Sequence, residues 1–206
     1  MTTPPKQRPP GSPTSQKPRK TPGQPKGGSP LRRIIATALP RLSPEGPIHG
    51  RLHVGQATFA CAIGAAAISH RKREGDHASP AGHFRLIEGF FKPLIGRRPR
   101  ASLPIFPINR TLGWCDDVNS ANYNRLIGLP SQARHETLWR DDGLYDVVVV
   151  LDYNLRPRRK GAGSAIFLHC ARPDFAPTEG CIALRQDDLR KLLPRLARKA
   201  HLIVRR

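Results

Sequence analysis

Seven short runs of apolar or alternating residues, none longer than ten, are separated by stretches dense in proline, glycine and charge. That rhythm is short for helices and suits strands joined by turns. LRRIIA (31–36), RLHV (51–54), ATFACAI (57–63) and GHFRLIEGFF (82–91) are the first four. In the third, Phe59, Cys61 and Ile63 fall on one side of an extended chain, as in a half-buried strand. YDVVVVL (145–151) and SAIFLH (164–169) are expected to be central strands, and HLIVR (201–205) to complete the sheet. SPEGP, REGDHASPAG, RPRASLP and RPRRKGAGS supply the turns. One helix is predicted over 187–197, where Leu189, Leu192, Leu193 and Leu196 share a face. Asp187 is its expected cap, and Pro194 should bend or end it. The reading is a mainly β domain over residues 31–206, with long loops and one or two short helices.

Residues 1–30 differ sharply. They hold nine prolines, four glycines and six Lys or Arg, with no acid and no apolar side chain except Met1. Such a segment cannot offset its ordering entropy by burial, and a disordered basic tail is expected. It takes six of the net +20 charges, so the folded part is itself basic. That charge points to an anionic partner: nucleic acid, a membrane or an acidic polymer. No apolar run approaches the roughly 18 residues of a membrane span, and the N-terminus lacks the apolar stretch of a secretory signal. Cys61, Cys115, Cys170 and Cys181 contain no C-x-x-C pair and do not read as a disulfide framework; a single bridge, as between Cys61 and Cys115, has no support in the spacing.

Chemistry concentrates in SAIFLHCARPDFAPTEGCIAL, Ser164 to Leu184. A buried strand delivers His169 at its end, and twelve residues later Cys181 follows a glycine and opens another apolar run. A thiol attacks as thiolate, and an adjacent imidazole can take its proton and return it to a leaving amine. Gly180 permits tight backbone geometry and lets main-chain N–H groups face an oxyanion. Two plainer readings fit the same residues. One is a packed thiol beside a satisfied core histidine. The other is a zinc site using His169, Cys170 and Cys181, which no paired spacing supports. His169 and Cys170, adjacent on a strand, should also face opposite ways.

These residues resemble the L,D-transpeptidase family, the YkuD-type catalytic domain. The family pattern is a histidine at a strand end, a variable loop, then [S/T]-H-G-C followed by a hydrophobic and a polar residue. FLHCARPDFAPTEGCIA carries it here, with His169 matching the histidine and Thr178, Gly180, Cys181 and Ile182 the second element. Upstream, REGDHASPAGHFRL (73–86) is similar to the family's T-P-x-G-x-F element, with Ser79 in place of Thr. The chain departs from the pattern at Glu179, where a second histidine is usual, at Ala183, where a polar residue is usual, and in the short loop after His169. Glu179 is expected to disfavour a thiolate beside it.

The resemblance implies a YkuD-like β-sandwich and a two-step acyl transfer between peptidoglycan stem peptides. Cys181 would be the nucleophile and His169 the proton acceptor and donor. The Cys170 carbonyl would orient the imidazole, and N–H groups near Gly180 would hold the oxyanion. No metal, nucleotide or redox cofactor is implied. Carboxylate-rich wall polymers become the favoured anionic partner over nucleic acid, and the periplasm or cell envelope the expected location. Two polar, aromatic-bearing stretches, 113–125 and 135–146, are expected to be loops, either walling a substrate groove or packed by their own aromatics. Their candidate contacts are Trp114, Tyr123, His135 and Trp139, beside Thr178 and Glu179. Two alternatives remain: an L,D-carboxypeptidase or amidase using the same Cys–His site, and a non-catalytic binder of anionic polymer.

Overall fold

A computed structural model of the protein describes residues 29–41, 43 and 46–206. Nearly all of the expected disordered tail, residues 1–28, lies outside the described residues. The first strands are β1 (Leu31–Ala38), β2 (His49–Val54), β3 (Ala57–Ala62), β4 (Ile68–Ser69), β5 (Ser79–Pro80) and β6 (Gly82–Phe91). There follow β7 (Ile105–Pro107), β8 (Leu112–Cys115), β9 (Arg125–Gly128), β10 (His135–Thr137) and β11 (Val147–Leu151). The last are β12 (Phe167–Cys170), β13 (Ile182–Leu184), the helix α1 (Gln186–Leu192) and β14 (Leu196–Arg205). The chain is mainly β, as expected.

The main sheet runs β11-β12-β13-β3-β2-β1-β14-β6-β7, and β11 also pairs with β6. The long strand β6 makes this closure possible. Its first half, Gly82–Arg85, pairs with β14, and its second half, from Leu86 to Phe91, pairs with β11. The sheet thus closes on itself around one apolar core and leaves few unpaired edges.

β11 explains why the sequence carries a continuous apolar run. Val147, Val149 and Leu151 point into that first core, whereas Val148 and Val150 point into a second. A strand buried on both faces cannot alternate. The second core lies under a small sheet, β10-β8-β9, that includes Trp114 and packs Leu138 and Tyr145 beside it. The stretches 113–125 and 135–146, read from sequence as loops, therefore contribute strands. Their strands are three or four residues long and of mixed polarity, too short to show a period.

α1 is shorter than the predicted helix. It begins at Gln186 after Arg185, which makes no side-chain cap. Asp187 sits inside the first turn, where its charge suits the exposed N–H groups but does not cap them. Pro194 falls in a single 3-10 turn that ends the helix, and Leu196 already belongs to β14.

Candidate active site

β12 and β13 run parallel, with Leu168 opposite Ile182 and His169 opposite Ala183. Alternation sends Leu168, Cys170, Ile182 and Leu184 into the first core. Phe167 and Cys181 turn to the second. His169 shares their face and opens, with Cys181 and Ala183, onto a cavity of about 490 Å³. His169 and Cys181 are therefore diagonal neighbours, one strand apart and two residues along, or about 8 Å between α-carbons at ordinary strand spacing. Cys170 points the other way, its thiol donating to the Val147 carbonyl at 3.6 Å, so His169, Cys170 and Cys181 cannot converge on one metal ion.

The imidazole is oriented by backbone. His169 Nδ1 lies 2.8 Å from the Cys170 carbonyl oxygen. A carbonyl only accepts, so Nδ1 carries the proton and Nε2 keeps its lone pair. Tyr145 packs its ring edge-on against both His169 and Phe167, with centroids 5.4 and 5.9 Å apart. Burial lowers the His169 pKa to about 4, so at neutral pH the ring is an uncharged base.

Cys181 is held as a thiol at rest. Burial pushes its pKa up to about 12, and the nearby carboxylates Glu136 and Glu179 act in the same direction. Phe167 N–H donates to Sγ at 3.3 Å and favours the thiolate. The thiol itself donates to the Ala165 carbonyl at 3.2 Å. Ala165 is left-handed, with φ of 51°, unusual for a residue with a side chain and a mark of a strained functional loop. Asn124 holds it there: its Oδ1 accepts from Ala165 N–H at 3.1 Å and from Trp114 Nε1 at 2.9 Å.

The two signature elements meet at the Cys181 carbonyl. Thr178 Oγ1 donates to it at 2.7 Å and Ser79 Oγ at 3.4 Å. Ser79 is fully buried, and its oxygen also accepts from Gly64 N–H at 2.9 Å. Gly180 has φ of 138°, and a β-carbon there would lie 2.8 Å from the Ala78 carbonyl oxygen, so the turn requires glycine. The Gly180 N–H is turned back to Thr178 Oγ1 at 3.2 Å, a long bond within the turn rather than one aimed into the cavity.

The cavity is lined by both signs of charge. Lys72, Arg134, Arg140 and Arg172 are its cations. Glu74, Asp116, Glu136 and Glu179 are its carboxylates. Glu136 accepts from Tyr145 OH at 3.2 Å and from Arg140 at 3.4 Å, and burial raises its pKa. Thr178 and Glu179 line the cavity.

The four aromatic and histidine contacts expected from the sequence do not line it. Trp114 is buried, edge-on to Phe167 at 5.2 Å, and supports the site through Asn124. Tyr123 is buried too; its OH donates to Glu74 Oε2 at 2.5 Å and accepts from Gly163 N–H at 3.0 Å. Each carries a polar tip that finds a partner inside the fold, so neither needs to face a groove. His135 lies on β10 with Nδ1 2.7 Å from the Ala133 carbonyl. Trp139 is flanked by Lys92 and Arg110, at 5.0 and 4.8 Å from its ring. Sequence reasoning missed Tyr145, Glu136, Arg140 and Asn124. The first opens the YDVVVVL run, a usable signal; the others sit in stretches with no pattern.

All four cysteines are free. Among the described residues no helix is long and apolar enough to cross a membrane. A family model described as the L,D-transpeptidase catalytic domain, YkuD, matches residues 51–204. No curated protein and no solved structure matches the chain.

Proposed function

Because the chain belongs to the family of L,D-transpeptidase catalytic domains, we propose that it joins peptidoglycan stem peptides through a thioester on Cys181, acting at the cell envelope. The observation that carries this reading is the diagonal placement of His169 and Cys181 on one sheet face, both opening onto the same cavity.

The geometry supports the following steps. The Cys181 thiol swings from the Ala165 carbonyl toward Nε2 of His169, which takes its proton as Sγ attacks. The electrophile is the carbonyl on the L-centre of diaminopimelate in the donor stem. Nε2 is free for this because Nδ1 is committed to the Cys170 carbonyl. Phe167 N–H supports the charged sulfur. Collapse breaks the peptide bond, and the imidazolium passes its proton to the departing D-alanine amine. A side-chain amine of a second stem then attacks the thioester and gives its proton to His169. The amide forms, and the thiol is regenerated with a proton from His169. Proton transfer within this pair avoids a standing ion pair, consistent with a thiol near 12 and an imidazole near 4.

The mixed charge of the cavity suits substrates that carry both carboxylate and ammonium groups. Arg134 and Arg140 offer donors for the first, Glu136 and Glu179 acceptors for the second. Glu179 beside Cys181 also supports a second reading, in which water rather than an amine resolves the thioester.

Two measurements test the reading. Intact-protein mass after exposure to a carbapenem, whose strained amide acylates an activated thiol, should show one adduct mapping to Cys181. Mass spectrometry of muropeptides incubated with the protein should show cross-linked dimers. Trimmed monomers without dimers would replace transfer by hydrolysis, and an adduct elsewhere would remove Cys181 as nucleophile.

A further inference from the structure

Four large apolar side chains are conspicuously exposed among the described residues, and three belong to one stretch: Leu94 at 75%, Ile95 at 44% and Phe106 at 46%. Single exposed apolar residues are ordinary. Here two are adjacent on a turn that is built to hold them out, and the third lies on the strand paired beside the approach to that turn. Lys92 is buried at its base, with Nζ donating to the Arg140 carbonyl at 2.6 Å and to Asp141 at 3.0 Å. Pro93 then sets the backbone of a 3-10 turn, and Gly96 ends it with φ of 126°. Leu94 and Ile95 form the tip between them. Phe106 flanks it from β7, the strand paired with the end of β6 that leads into the turn.

Along this part of the chain the charge has one sign, with the exposed carboxylate of Asp141 paired to Lys92 at the base of the turn. Residues 89–115 contain five Lys or Arg and no Asp or Glu. Arg97, Arg98 and Arg100 are exposed, and none of the ion pairs among the described residues uses them. Charge alone would suit any polyanion. An aliphatic tip beside arginines is what an anionic lipid surface selects: the side chains enter the acyl boundary while the guanidinium groups stay with the headgroups.

We infer that the 92–106 segment is a docking surface for an anionic phospholipid bilayer. This face is separate from the catalytic cavity, none of whose lining residues falls in the segment. The inference therefore stands or falls independently of the reaction proposed above.

The test is co-sedimentation of the full chain with vesicles of phosphatidylcholine alone, or mixed with phosphatidylglycerol, over a range of salt. The wild type should bind the mixed vesicles and not the neutral ones. Leu94→Ser with Ile95→Ser, which leaves charge unchanged, should weaken binding on the order of tenfold. Arg97→Gln, Arg98→Gln and Arg100→Gln together should weaken it similarly and flatten its salt dependence. Thermal unfolding of each variant should match the wild type, since these side chains are exposed. The basic N-terminal residues are present in every protein compared, so their contribution cancels. Serine variants that bind as tightly as the wild type would reduce the interaction to charge alone and overturn the inference. So would a wild type that ignores anionic vesicles.

Discussion

Cys61 and Cys181 make an instructive pair. Both are buried thiols whose pKa burial pushes up to about 12, and both sit on or beside strands of one sheet. Cys61 points into the first core, packed on Gly50, where a β-carbon would come within 2.8 Å of its sulfur. Cys181 points into the second core, beside a cavity, with an unprotonated imidazole nitrogen on the same face. The acidity of the resting thiol does not separate them. Cys61 even borders a cavity of its own, with His49 in its lining. What sets Cys181 apart is an imidazole on its own sheet face whose Nδ1 is held by a backbone carbonyl, a placement set by strand register.

The largest expected break in this comparison is Cys181→Ser. It should lower kcat/KM for stem-peptide cross-linking by at least about a thousandfold with the fold intact, since the hydroxyl is a far poorer nucleophile under the same base. Steady-state assays with circular dichroism as the folding control measure it. Retained activity in that variant ends the catalytic assignment.

His169→Gln should follow, at about a hundred- to ten-thousandfold in kcat/KM. It also carries a pH signature. The folded histidine titrates near 4 and the unfolded one near 6.5, so between those values the unfolded chain binds a proton that the native state refuses. The histidine's contribution to stability is complete above about 6.5 and is lost as pH falls toward 4, on the order of 3 kcal/mol across the window. Urea unfolding of wild type and His169→Gln across that window should show the wild type losing more. Parallel curves would place the histidine in contact with solvent.

Gly180→Ala sharpens the geometric side. Its β-carbon would meet the Ala78 carbonyl, and its φ suits only glycine, so a loss of about 1–3 kcal/mol together with activity is expected in unfolding and rate assays. Smallest is Cys61→Ala, which should cost about 1 kcal/mol in unfolding experiments and leave kcat/KM within twofold. A larger loss of activity there would mean that the two faces communicate.

Much of this was readable in the residues. The β6, β11 and β12 runs announced themselves by length and β-branching, and the His–Cys pair by a strand-end histidine and a glycine before a cysteine. What the sequence concealed is the second core. β8, β9 and β10 are too short for any periodicity, and their aromatics sit among polar neighbours that satisfy them internally. Read along the chain, Trp114 and Tyr123 resemble groove residues; in space they support the loop that presents Ala165. Glu136 and Arg140 gain meaning only once β10 brings them over Tyr145, a contact that no local pattern encodes. Asp187 failed as a cap because the helix starts one residue before it.

The strand β14 lies between β1 and β6, so residues 196–205 close the ring whose other side is completed by the pairing of β6 with β11. During synthesis the nucleophile, the base and both hydroxyls that steady the Cys181 carbonyl precede the strand that closes the ring, Cys181 by little more than the length of α1 and its flanking turns. A chain complete only to α1 would carry the catalytic parts in a sheet still open at β14.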